Sequence, residues 1–238
     1  MSVQPIVVVP TYNEKDNVRP LVDKIFAALP EAEVLFVDDS SPDGTGAVVE
    51  ALMAAHPGRV HLLVRTTKEG LGAAYKAGFE WALARPYTHV CQIDADHSHD
   101  PNDLVRLLQP LLAGDADFAI GSRYVDGGNN TFTFGRKLIS VGGSLYARTV
   151  LGISVRDLTG GFKAWRREVI ETIDLSVVEA RGFGFQIEMT YRALKKGFRV
   201  VEVPIHFGDR LSGTSKMSSK ILFEALLMMW RLRWRVRV

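Results

Sequence analysis

Short apolar runs alternate with amphipathic stretches along the first half of the chain. Five apolar runs are each followed by polar or glycine-rich residues: Pro5–Pro10, Glu33–Asp39, Arg59–Val64, His89–Ile93 and Asp117–Gly121. Their near-continuous apolar character is typical of strands that are covered on both faces of a parallel sheet. Between them, apolar residues recur at helical spacing, in Val18, Leu21, Val22, Ile25, Phe26 and Leu29 and in Leu104, Val105, Leu107, Leu108, Leu111 and Leu112. The pattern predicts a doubly wound α/β fold, in which ligands bind beyond the carboxyl ends of the strands.

The chain is organised as one domain with a distinct C-terminal end. No internal repeat or low-complexity linker interrupts the alternation, so we predict a single α/β domain over residues 1–217 and a basic amphipathic segment over residues 218–238. A length of 238 residues with 47% hydrophobic content suffices for a large core. The single cysteine, Cys91, excludes an internal disulfide and suits a reducing compartment. We expect no secretory signal, because the apolar run at Ile6–Val9 is stopped by Pro10.

Positive charge is concentrated at the C-terminal end. From Arg210 onward the sequence holds seven Lys or Arg residues and one acid, a net charge of +6, whereas the whole chain is formally +2 and the remainder therefore −4. A nucleic-acid-binding protein usually carries a broad basic face, so this distribution argues against nucleic acid as a partner. The apolar run in this segment, ILFEALLMMW, is shorter than the about 20 residues that a membrane-spanning helix needs.

Polar and glycine-rich sequences follow every predicted strand. In chain order they are PTYNE (10–14), DDSSPDGTG (38–46), RTTKEGLGAA (65–74), DADHSHD (94–100) and GSRY (121–124). Because the carboxyl ends of parallel strands meet at one edge of a sheet, these sequences should converge on one rim. That convergence indicates a functional site more strongly than any of the motifs does alone.

Each motif also has a rival interpretation. DDSSPDGTG is typical of a tight turn with a helix cap, or of the acidic pocket of a response-regulator receiver, although receivers carry their acidic pair after the first strand. KEGLGAA could be an ordinary helix start, and it is not a P-loop because no G-x-x-x-x-G-K-[ST] occurs. His97 and His99 could complete a zinc site with a nearby aspartate, but zinc usually takes three or four ligands in wider spacings.

The pair Asp94 and Asp96 is the strongest candidate for a metal site. Carboxylate oxygens suit Mg²⁺ or Mn²⁺, which take one or two protein carboxylates plus substrate phosphates. Asp94 and Asp96 flank a single residue directly after the predicted strand, and we expect the strand to have ended in a turn that lets both carboxylates serve one ion. We interpret His97 and His99 as bystanders.

Eight segments, in order, resemble those of the polyprenol (dolichol) phosphate mannose synthases. They are VVVPTYNEKDNV, VDDSSPDGTG, KEGLGAAYKAGF, DADHSHDP, GSRY, DLTGGFKAWRREV, GFGFQIEM and VEVPIHFGDRLSGTSKM. The resemblance runs from about Val7 to Met217. These enzymes are inverting family-2 glycosyltransferases of GT-A fold, so the resemblance implies a Rossmann-like, mostly parallel sheet flanked by helices. It also implies transfer of mannose from GDP-mannose to polyprenyl (dolichyl) phosphate, giving β-mannosyl-phosphoryl-polyprenol and GDP.

The resemblance also implies roles for individual residues. The nucleotide sugar would contact Pro10, Tyr12, Glu14, Val37, Asp39, Lys68, Gly70, Asp94, Ala95 and Asp96. The acceptor phosphate would contact Arg123, Arg136, Ser140, Arg210 and Lys216. Asp94 and Asp96 would bind Mg²⁺ or Mn²⁺, and the catalytic residues would be Asp96, Arg123 and Arg136. Some relatives carry Gln where Ser98 stands, which leaves either Ser98 or a water as a third metal ligand.

The implied reaction needs few catalytic groups. A divalent ion stabilises the charge that develops on a diphosphate leaving group. A phosphate monoester is largely ionised near neutral pH and needs no strong general base. Planar Arg side chains offset the repulsion between two phosphorylated substrates. Glu188 would be the candidate base if the acceptor were a hydroxyl, but we interpret it as an acid that orients an arginine.

Other functions stay open at this point. A UDP-glucose or UDP-GlcNAc polyprenyl-phosphate transferase would share the metal pair and the basic residues. A catalytically silent nucleotide-sugar-binding subunit of a membrane complex would share the fold. A Rossmann oxidoreductase is disfavoured, because no G-x-G-x-x-G follows the first predicted strand.

The C-terminal segment has two interpretations. One is a helix that packs Ile221, Leu222, Ala225, Leu226 and Met229 on the domain. The other is a membrane-interface segment in which Met228, Met229, Trp230 and Trp234 lie among Arg231, Arg233, Arg235 and Arg237. Tryptophan favours the headgroup level of a bilayer, and basic residues are attracted to an anionic surface. We expect a peripheral protein on the cytoplasmic face of a membrane, to which a separate membrane-spanning subunit could dock.

Overall fold

The chain folds into alternating strands and helices. A computed structural model describes residues 3–131, 134–179, 182–208 and 219–236. The elements of the first half are β1 Pro5–Thr11, α1 Val18–Ala28, β2 Glu33–Asp38, α2 Thr45–Ala55, β3 Val60–Val64, α3 Leu71–Leu83, β4 His89–Gln92, α4 Asp103–Leu112 and β5 Phe118–Ser122. Those of the second half are β6 Asn129–Asn130, α5 Phe134–Leu151, β7 Lys163–Arg166, α6 Arg167–Thr172, a 3₁₀ turn at Leu175–Val177, α7 Phe183–Lys195, β8 Val200–Pro204, β9 His206–Phe207 and α8 Ser219–Arg235.

Seven strands form one sheet in the order β3-β2-β1-β4-β7-β5-β8. Strands β3, β2, β1 and β4 pair in parallel, as do β5 and β8. Strand β7 runs antiparallel between β4 and β5, and β6 pairs with β9 in a separate two-stranded sheet. The five predicted strands are confirmed, whereas β7 and β8 join the sheet without having been predicted from the apolar pattern.

Helices cover both faces of this sheet, as the alternation of side chains along β1 shows. Ile6 and Val8 lie in one hydrophobic cluster with side chains of α3, α5 and α7. Val7 and Val9 lie in a second cluster with side chains of α1, α2 and α4. Close packing of α3 on the first face requires Gly78, because an added Cβ there would lie 2.5 Å from the Val8 Cγ1 atom. The doubly wound arrangement is therefore confirmed.

The amphipathic helices bury the expected stripe, with one difference. The buried residues of α1 include Val18, Leu21, Val22 and Ile25, and those of α4 are Leu104, Leu107, Leu108 and Leu111. Val105 and Leu112 of α4, however, are 45% and 51% exposed. The predicted apolar stripe of α4 was too wide, because only residues three and four apart share the face that meets the sheet.

The C-terminal helix α8 packs on the domain with one face. Met229 and Leu232 are buried in the cluster that contains α5 and α7 side chains. The Trp230 indole N–H donates a hydrogen bond to the Tyr146 hydroxyl of α5 at 2.9 Å. The packing interpretation thus holds for Met229, while Ile221, Leu222, Ala225 and Leu226 lie outside the described side chains. Within the described ranges, no helix combines the length and the apolar character that crossing a bilayer requires.

One edge of the sheet collects the carboxyl ends of β1 to β5, and β7 begins there because it is antiparallel. Three non-glycine residues at this edge have left-handed backbone: Asn13 after β1, Ser40 after β2 and His97 after β4, with φ of 62°, 52° and 59°. Such conformations are uncommon outside glycine and cluster at functional sites. The predicted rim is confirmed, and it is where the backbone departs most from regular geometry.

Candidate active site

Asp94 lies just beyond β4 and is held by a helix and a loop. The Tyr75 hydroxyl of α3 donates a hydrogen bond to Asp94 Oδ1 at 3.0 Å. Gly161, in the loop before β7, is so close that a Cβ there would lie 3.3 Å from both carboxylate oxygens. Burial of Tyr75, followed by the charge of Asp94, raises the pKa of the phenol well above its ordinary value. The hydroxyl therefore keeps its proton and remains a donor.

Asp96 is held by the turn that follows it. This residue is 9% exposed, and its Oδ1 atom accepts hydrogen bonds from the Ser98 backbone N–H at 3.1 Å and the Ser98 hydroxyl at 2.6 Å. His97, between them, has the left-handed backbone that reverses the chain. The expected turn is present. The hydroxyl proton of Ser98 is committed to Asp96, so Ser98 supports a carboxylate and water is the better candidate for a third metal ligand.

The two neighbouring histidines make packing contacts. His97 Nε2 lies 3.1 Å from the backbone oxygen of Asn17. The His99 ring lies 4.8 Å from the Phe162 ring and 5.0 Å from the Phe207 ring, centre to centre. These contacts give both side chains a structural explanation that does not involve a metal.

The donor atoms at this point of the rim fit a hard divalent cation. In the part of the chain that the structure describes, no three His, Cys, Asp or Glu side chains come together as a metal site. Mg²⁺ and Mn²⁺ commonly use one or two carboxylates together with substrate phosphates, whereas a zinc site needs three or four protein ligands. Asp94 and Asp96 would therefore hold such an ion jointly with a diphosphate.

The loops after β1, β2 and β3 form a wall beside the carboxylate pair. Lys68 Nζ lies 3.2 Å from the centre of the Tyr12 ring, which joins the first and third loops. Arg65 Nη1 lies 3.0 Å from Asp39 Oδ1, which joins the second and third. Burial raises the pKa of Asp39, against the opposing charge of Arg65. The structure thus brings together Tyr12, Asp39 and Lys68, as the sequence analysis expected.

The other residues expected to contact the nucleotide differ in how far they are exposed at the rim. Pro10 and Glu14 are half-buried at the end of β1 and in the loop beyond it. Gly70 precedes α3 with φ of 95°, a conformation that favours glycine. Ala95 is 3% exposed, and Val37 is fully buried in the core beneath α3. A contact between Val37 and a nucleotide would therefore have to come from its backbone.

Arg123 follows β5 and is bound by an aspartate that the sequence analysis did not single out. Asp157, which is fully buried, accepts hydrogen bonds from Arg123 Nε and Nη2, both at 2.7 Å, and from its backbone N–H at 3.0 Å. Burial lowers the pKa of Arg123, but the hydrogen bonds and charge of Asp157 outweigh it and the pKa is raised, with a smaller contribution from Asp94. Arg123 is a fixed cation at the rim.

The loop that carries Asp157 is anchored to β8 and is closed by an internal hydrogen bond. Glu202 of β8 accepts hydrogen bonds from the backbone N–H groups of Arg156 and Asp157 at 2.8 and 2.9 Å. The Gly160 N–H donates to Asp157 Oδ1 at 3.1 Å. The same loop contains Gly161, the neighbour of the Asp94 carboxylate. One loop therefore supports both the acidic and the basic side of the site.

Glu188 of α7 pairs with an arginine one turn away. Its Oε1 atom accepts from Arg192 Nε at 2.8 Å and lies 2.6 Å from Arg192 Nη2. The residue is 4% exposed. The interpretation of Glu188 as an acid that orients an arginine is confirmed.

A buried lysine lies at the start of β7. Lys163 has no solvent exposure, and its Nζ atom donates to the Gln186 carbonyl at 2.9 Å and to the Thr190 hydroxyl at 2.8 Å. Burial lowers the pKa of Lys163 to about 7, although the charges of Asp157 and Glu202 oppose the shift.

Four expected acceptor residues are not tested by this geometry. Arg136 and Ser140 belong to α5, but their side chains lie outside the description, and Arg210 and Lys216 lie outside the described residues altogether. Tyr75 and Asp157 are the site residues that sequence analysis missed. The available signals were a phenol on an otherwise apolar helix face and an aspartate just before a Gly-Gly pair.

The sequence is similar to those of known glycosyltransferases. Residues 6–174 match the model of the family described as glycosyl transferase family 2. A polyprenol monophosphomannose synthase of Mycolicibacterium smegmatis is 48% identical over 97% of this chain and 88% of its own length. An undecaprenyl-phosphate mannosyltransferase of Micrococcus luteus is 46% identical over 93% of this chain and 90% of its own. A dolichol-phosphate mannosyltransferase of Pyrococcus furiosus is 38% identical over 96% of this chain and 63% of its own.

The fold is similar to that of a solved glycosyltransferase. Glucosyl-3-phosphoglycerate synthase from Mycobacterium tuberculosis, in complex with Mn²⁺, UDP and phosphoglyceric acid, superposes with a TM-score of 0.70 at 20% identity, over 100% of this chain and 80% of that one. At this identity the likeness concerns the fold alone, and it confirms the expected GT-A architecture. Together with the family match over residues 6–174, it leads to one conclusion: the chain belongs to glycosyl transferase family 2 and is a glycosyltransferase.

Proposed function

We propose that this chain transfers mannose from GDP-mannose to a polyprenyl phosphate, with inversion at the anomeric carbon and release of GDP. One observation carries the proposal. A carboxylate pair and a fixed arginine meet at one rim, in a chain that aligns over 97% of its length with a relative named for the mannosylation of polyprenol phosphate.

The donor would lie along the wall formed by the loops after β1, β2 and β3. Tyr12, Asp39 and Lys68 are the side chains there that could contact the base, ribose or phosphates. Asp94 and Asp96 would hold Mg²⁺ or Mn²⁺, which would neutralise the diphosphate and stabilise it as a leaving group. The hydroxyl donors of Tyr75 and Ser98 support this role, because they orient the two carboxylates without removing their charge.

The acceptor phosphate would attack from the side opposite the leaving group. One of its oxygens forms a bond to C1 of mannose while the bond from C1 to the GDP oxygen breaks, and that electron pair leaves with GDP. The second pKa of a phosphate monoester is about 6, so the attacking oxygen is already ionised and no general base is needed. The pairing of Glu188 with Arg192 agrees with this view.

The acceptor phosphate would be met by Arg123, Arg136, Ser140, Arg210 and Lys216. Arg123 was expected to contact this phosphate, and Asp157 already accepts hydrogen bonds from its Nε and Nη2 atoms. Its proposed contribution is a fixed positive charge beside the reacting groups.

A polyprenyl chain keeps its acceptor in a bilayer, so we place the protein on the cytoplasmic membrane face as a peripheral protein. The exposed face of α8 supports this placement: Leu227, Trp230 and Trp234 are 45%, 47% and 66% exposed, and Arg231 and Arg235 are exposed beside them. Tryptophan prefers the headgroup region, and arginine is attracted to anionic lipid. Docking to a separate membrane-spanning subunit stays a prediction.

A donor panel tests the function directly. The protein is incubated with undecaprenyl phosphate, Mg²⁺ or Mn²⁺, and labelled GDP-mannose, UDP-glucose or UDP-GlcNAc, and the label that partitions into organic solvent is counted. GDP-mannose alone should label the lipid. Labelling from a UDP-sugar instead would overturn the donor assignment, and no labelling from any donor, with GDP-mannose still bound, would indicate a catalytically silent subunit.

A further inference from the structure

We infer that Tyr75, together with the space left by Gly161, positions the Asp94 carboxylate for the divalent ion of the donor complex. The inference rests on the proposed function in taking Asp94 as a metal ligand and GDP as the nucleotide that binds with the metal. Tyr75 would not touch substrate or metal. It would act through Asp94, by the hydrogen bond of 3.0 Å from its hydroxyl to Asp94 Oδ1.

The Tyr75 ring is itself fixed in place. It has no solvent exposure. The Phe185 ring of α7 stacks on it, with centres 6.1 Å apart and an interplanar angle of 7°, and the Phe79 ring lies 6.3 Å away. A buried ring packed against two others has little freedom to turn, so its hydroxyl is held in one position.

Gly161 limits the carboxylate in a second way. A methyl group at this position would stand 3.3 Å from both Asp94 oxygens, closer than ordinary contacts. The loop backbone therefore lies against the carboxylate, and an alanine at this position would require the carboxylate or the loop to shift by a few tenths of an ångström. A hydrogen bond to one oxygen and a wall beside both oxygens together restrict rotation of the carboxylate about its bond to Cβ.

A phenol hydroxyl is a suitable hydrogen-bond donor for this role. A phenol is neutral, so it orients the carboxylate while leaving its full negative charge for a cation. An arginine in the same place would cancel that charge, as Arg123 does for Asp157. Partners that hold the ligands of a metal typically change its affinity by about tenfold to a hundredfold when they are removed.

The test compares two phenol-to-carboxylate hydrogen bonds in the same protein. Tyr75→Phe removes the bond to Asp94, and Tyr87→Phe removes the bond that the Tyr87 hydroxyl donates to Glu33 at 2.5 Å, at the opposite edge of the sheet. Binding of Mn²⁺ in the presence of GDP, without acceptor, is measured from the electron paramagnetic resonance signal of free Mn²⁺. We expect Tyr75→Phe to weaken Mn²⁺ binding about tenfold or more, and Tyr87→Phe to stay within about twofold of the wild type.

Further measurements separate positioning from general damage. Excess Mn²⁺ should restore the turnover of Tyr75→Phe, which it would not do for a misfolded enzyme. If Tyr75→Phe fails to fold by circular dichroism, Gly161→Ala carries the test, and it should also weaken Mn²⁺ binding. Equal Mn²⁺ affinity in Tyr75→Phe and Tyr87→Phe, or in Gly161→Ala and wild type, would overturn the inference. Because no acceptor is present, a failure of mannosyl transfer would leave this result unaffected.

Discussion

The acids on the two sides of the rim have different kinds of partner. In the loops after β1 to β4, aspartates accept hydrogen bonds from neutral hydroxyl groups: Asp38 from Thr11 and Ser41, Asp43 from Thr45, Asp94 from Tyr75 and Asp96 from Ser98. Beyond β5, the buried acids pair with arginines, Asp157 with Arg123 and Glu188 with Arg192. Asp39 and Glu69, which both pair with Arg65, are exceptions on the first side.

The kind of partner decides whether a carboxylate keeps its negative charge or has it neutralised. A hydroxyl orients a carboxylate and leaves its charge in place, whereas an arginine neutralises it within a strong bidentate pair. The first side therefore retains negative charge for a cation, and on the second side the charge of each buried acid is offset by an arginine. Both rest on the loop before β7, which contains Asp157 and Gly161.

Removing the negative charge of Asp94 or Asp96 should reduce transfer activity more than any other change proposed here. Asp94→Asn and Asp96→Asn keep the size of the side chain but remove the charge that would hold the ion. We expect lipid-extractable label from GDP-mannose to fall to background in each variant, while the urea midpoint of unfolding changes little. Chelation of divalent ions should inhibit the wild type to the same level.

The control for this prediction is the neighbouring histidine. His97→Ala removes a ring whose described hydrogen bond is to the Asn17 carbonyl, and it should retain metal-dependent activity. Robust transfer by the wild type in excess EDTA would contradict the metal role of the carboxylate pair. Loss of activity in His97→Ala, with zinc in the purified protein, would instead favour the zinc interpretation.

The buried pair of Arg123 and Asp157 should contribute to the stability of the fold. Asp157→Asn leaves the Arg123 guanidinium, with 9% side-chain exposure, without its buried counter-charge. Breaking a buried pair on one side typically costs about 3–5 kcal/mol, so the free energy of unfolding in urea should fall by an amount of that order. Glu171→Gln, which removes the charge of a 47% exposed side chain that pairs with Arg167, should change it by less than about 1 kcal/mol. Equal losses in the two variants would mean that the Arg123–Asp157 pair is not a buried structural pair.

The sequence predicted the parallel part of the fold because those strands are buried on both faces. Ile6 to Val9 are all fully buried, which gives an unbroken apolar run. Strand β7 spans only Lys163–Arg166 and carries a charge at each end, so its pattern resembles a loop or a helix start. Its place between β4 and β5 depends on pairing with distant residues, which no local pattern records.

The site residues could be predicted where they are close together in the sequence, but not where their partners are distant in the sequence. Asp94 and Asp96 stand out because two carboxylates follow a buried strand. The partners of these residues do not: Tyr75 lies 19 positions before Asp94, and Asp157 lies 34 positions after Arg123. A tyrosine on an apolar helix face indicates only a core residue, and only the fold shows that its hydroxyl reaches the rim.

Burial disfavours the charged form of Lys163, so the contribution of this residue to stability should depend on pH. Its pKa in the folded protein is about 7, below the ordinary value of 10.5. Between these two values the unfolded chain binds more protons than the folded one, so this lysine makes stability rise with pH. The stability of the wild type relative to Lys163→Met should therefore increase from pH 7 to pH 10, as measured by urea unfolding at a series of pH values. A difference that is constant over this range would contradict the lowered pKa.

The smallest expected effect concerns the exposed arginines of α8. In the described part of the chain Arg235 pairs with Glu179, an exposed acid, and Arg231 is also exposed. Deleting the tail from Trp230 onward would also remove Leu232, which is buried, so a substitution is the cleaner test. Arg231→Gln should weaken binding to anionic vesicles by about 1 kcal/mol, roughly fivefold, measured by co-sedimentation at low salt. The loss should shrink as salt rises, because screening shortens to about 3 Å at 1 M.

Arg19→Gln is the matched control for this change. Arg19 is exposed on α1, whose side chains pack on the opposite face of the sheet from those of α8. It removes the same charge from the chain, so any effect of net charge alone would appear equally in both variants. If Arg231→Gln and Arg19→Gln bind vesicles alike, α8 is not the surface that meets the membrane.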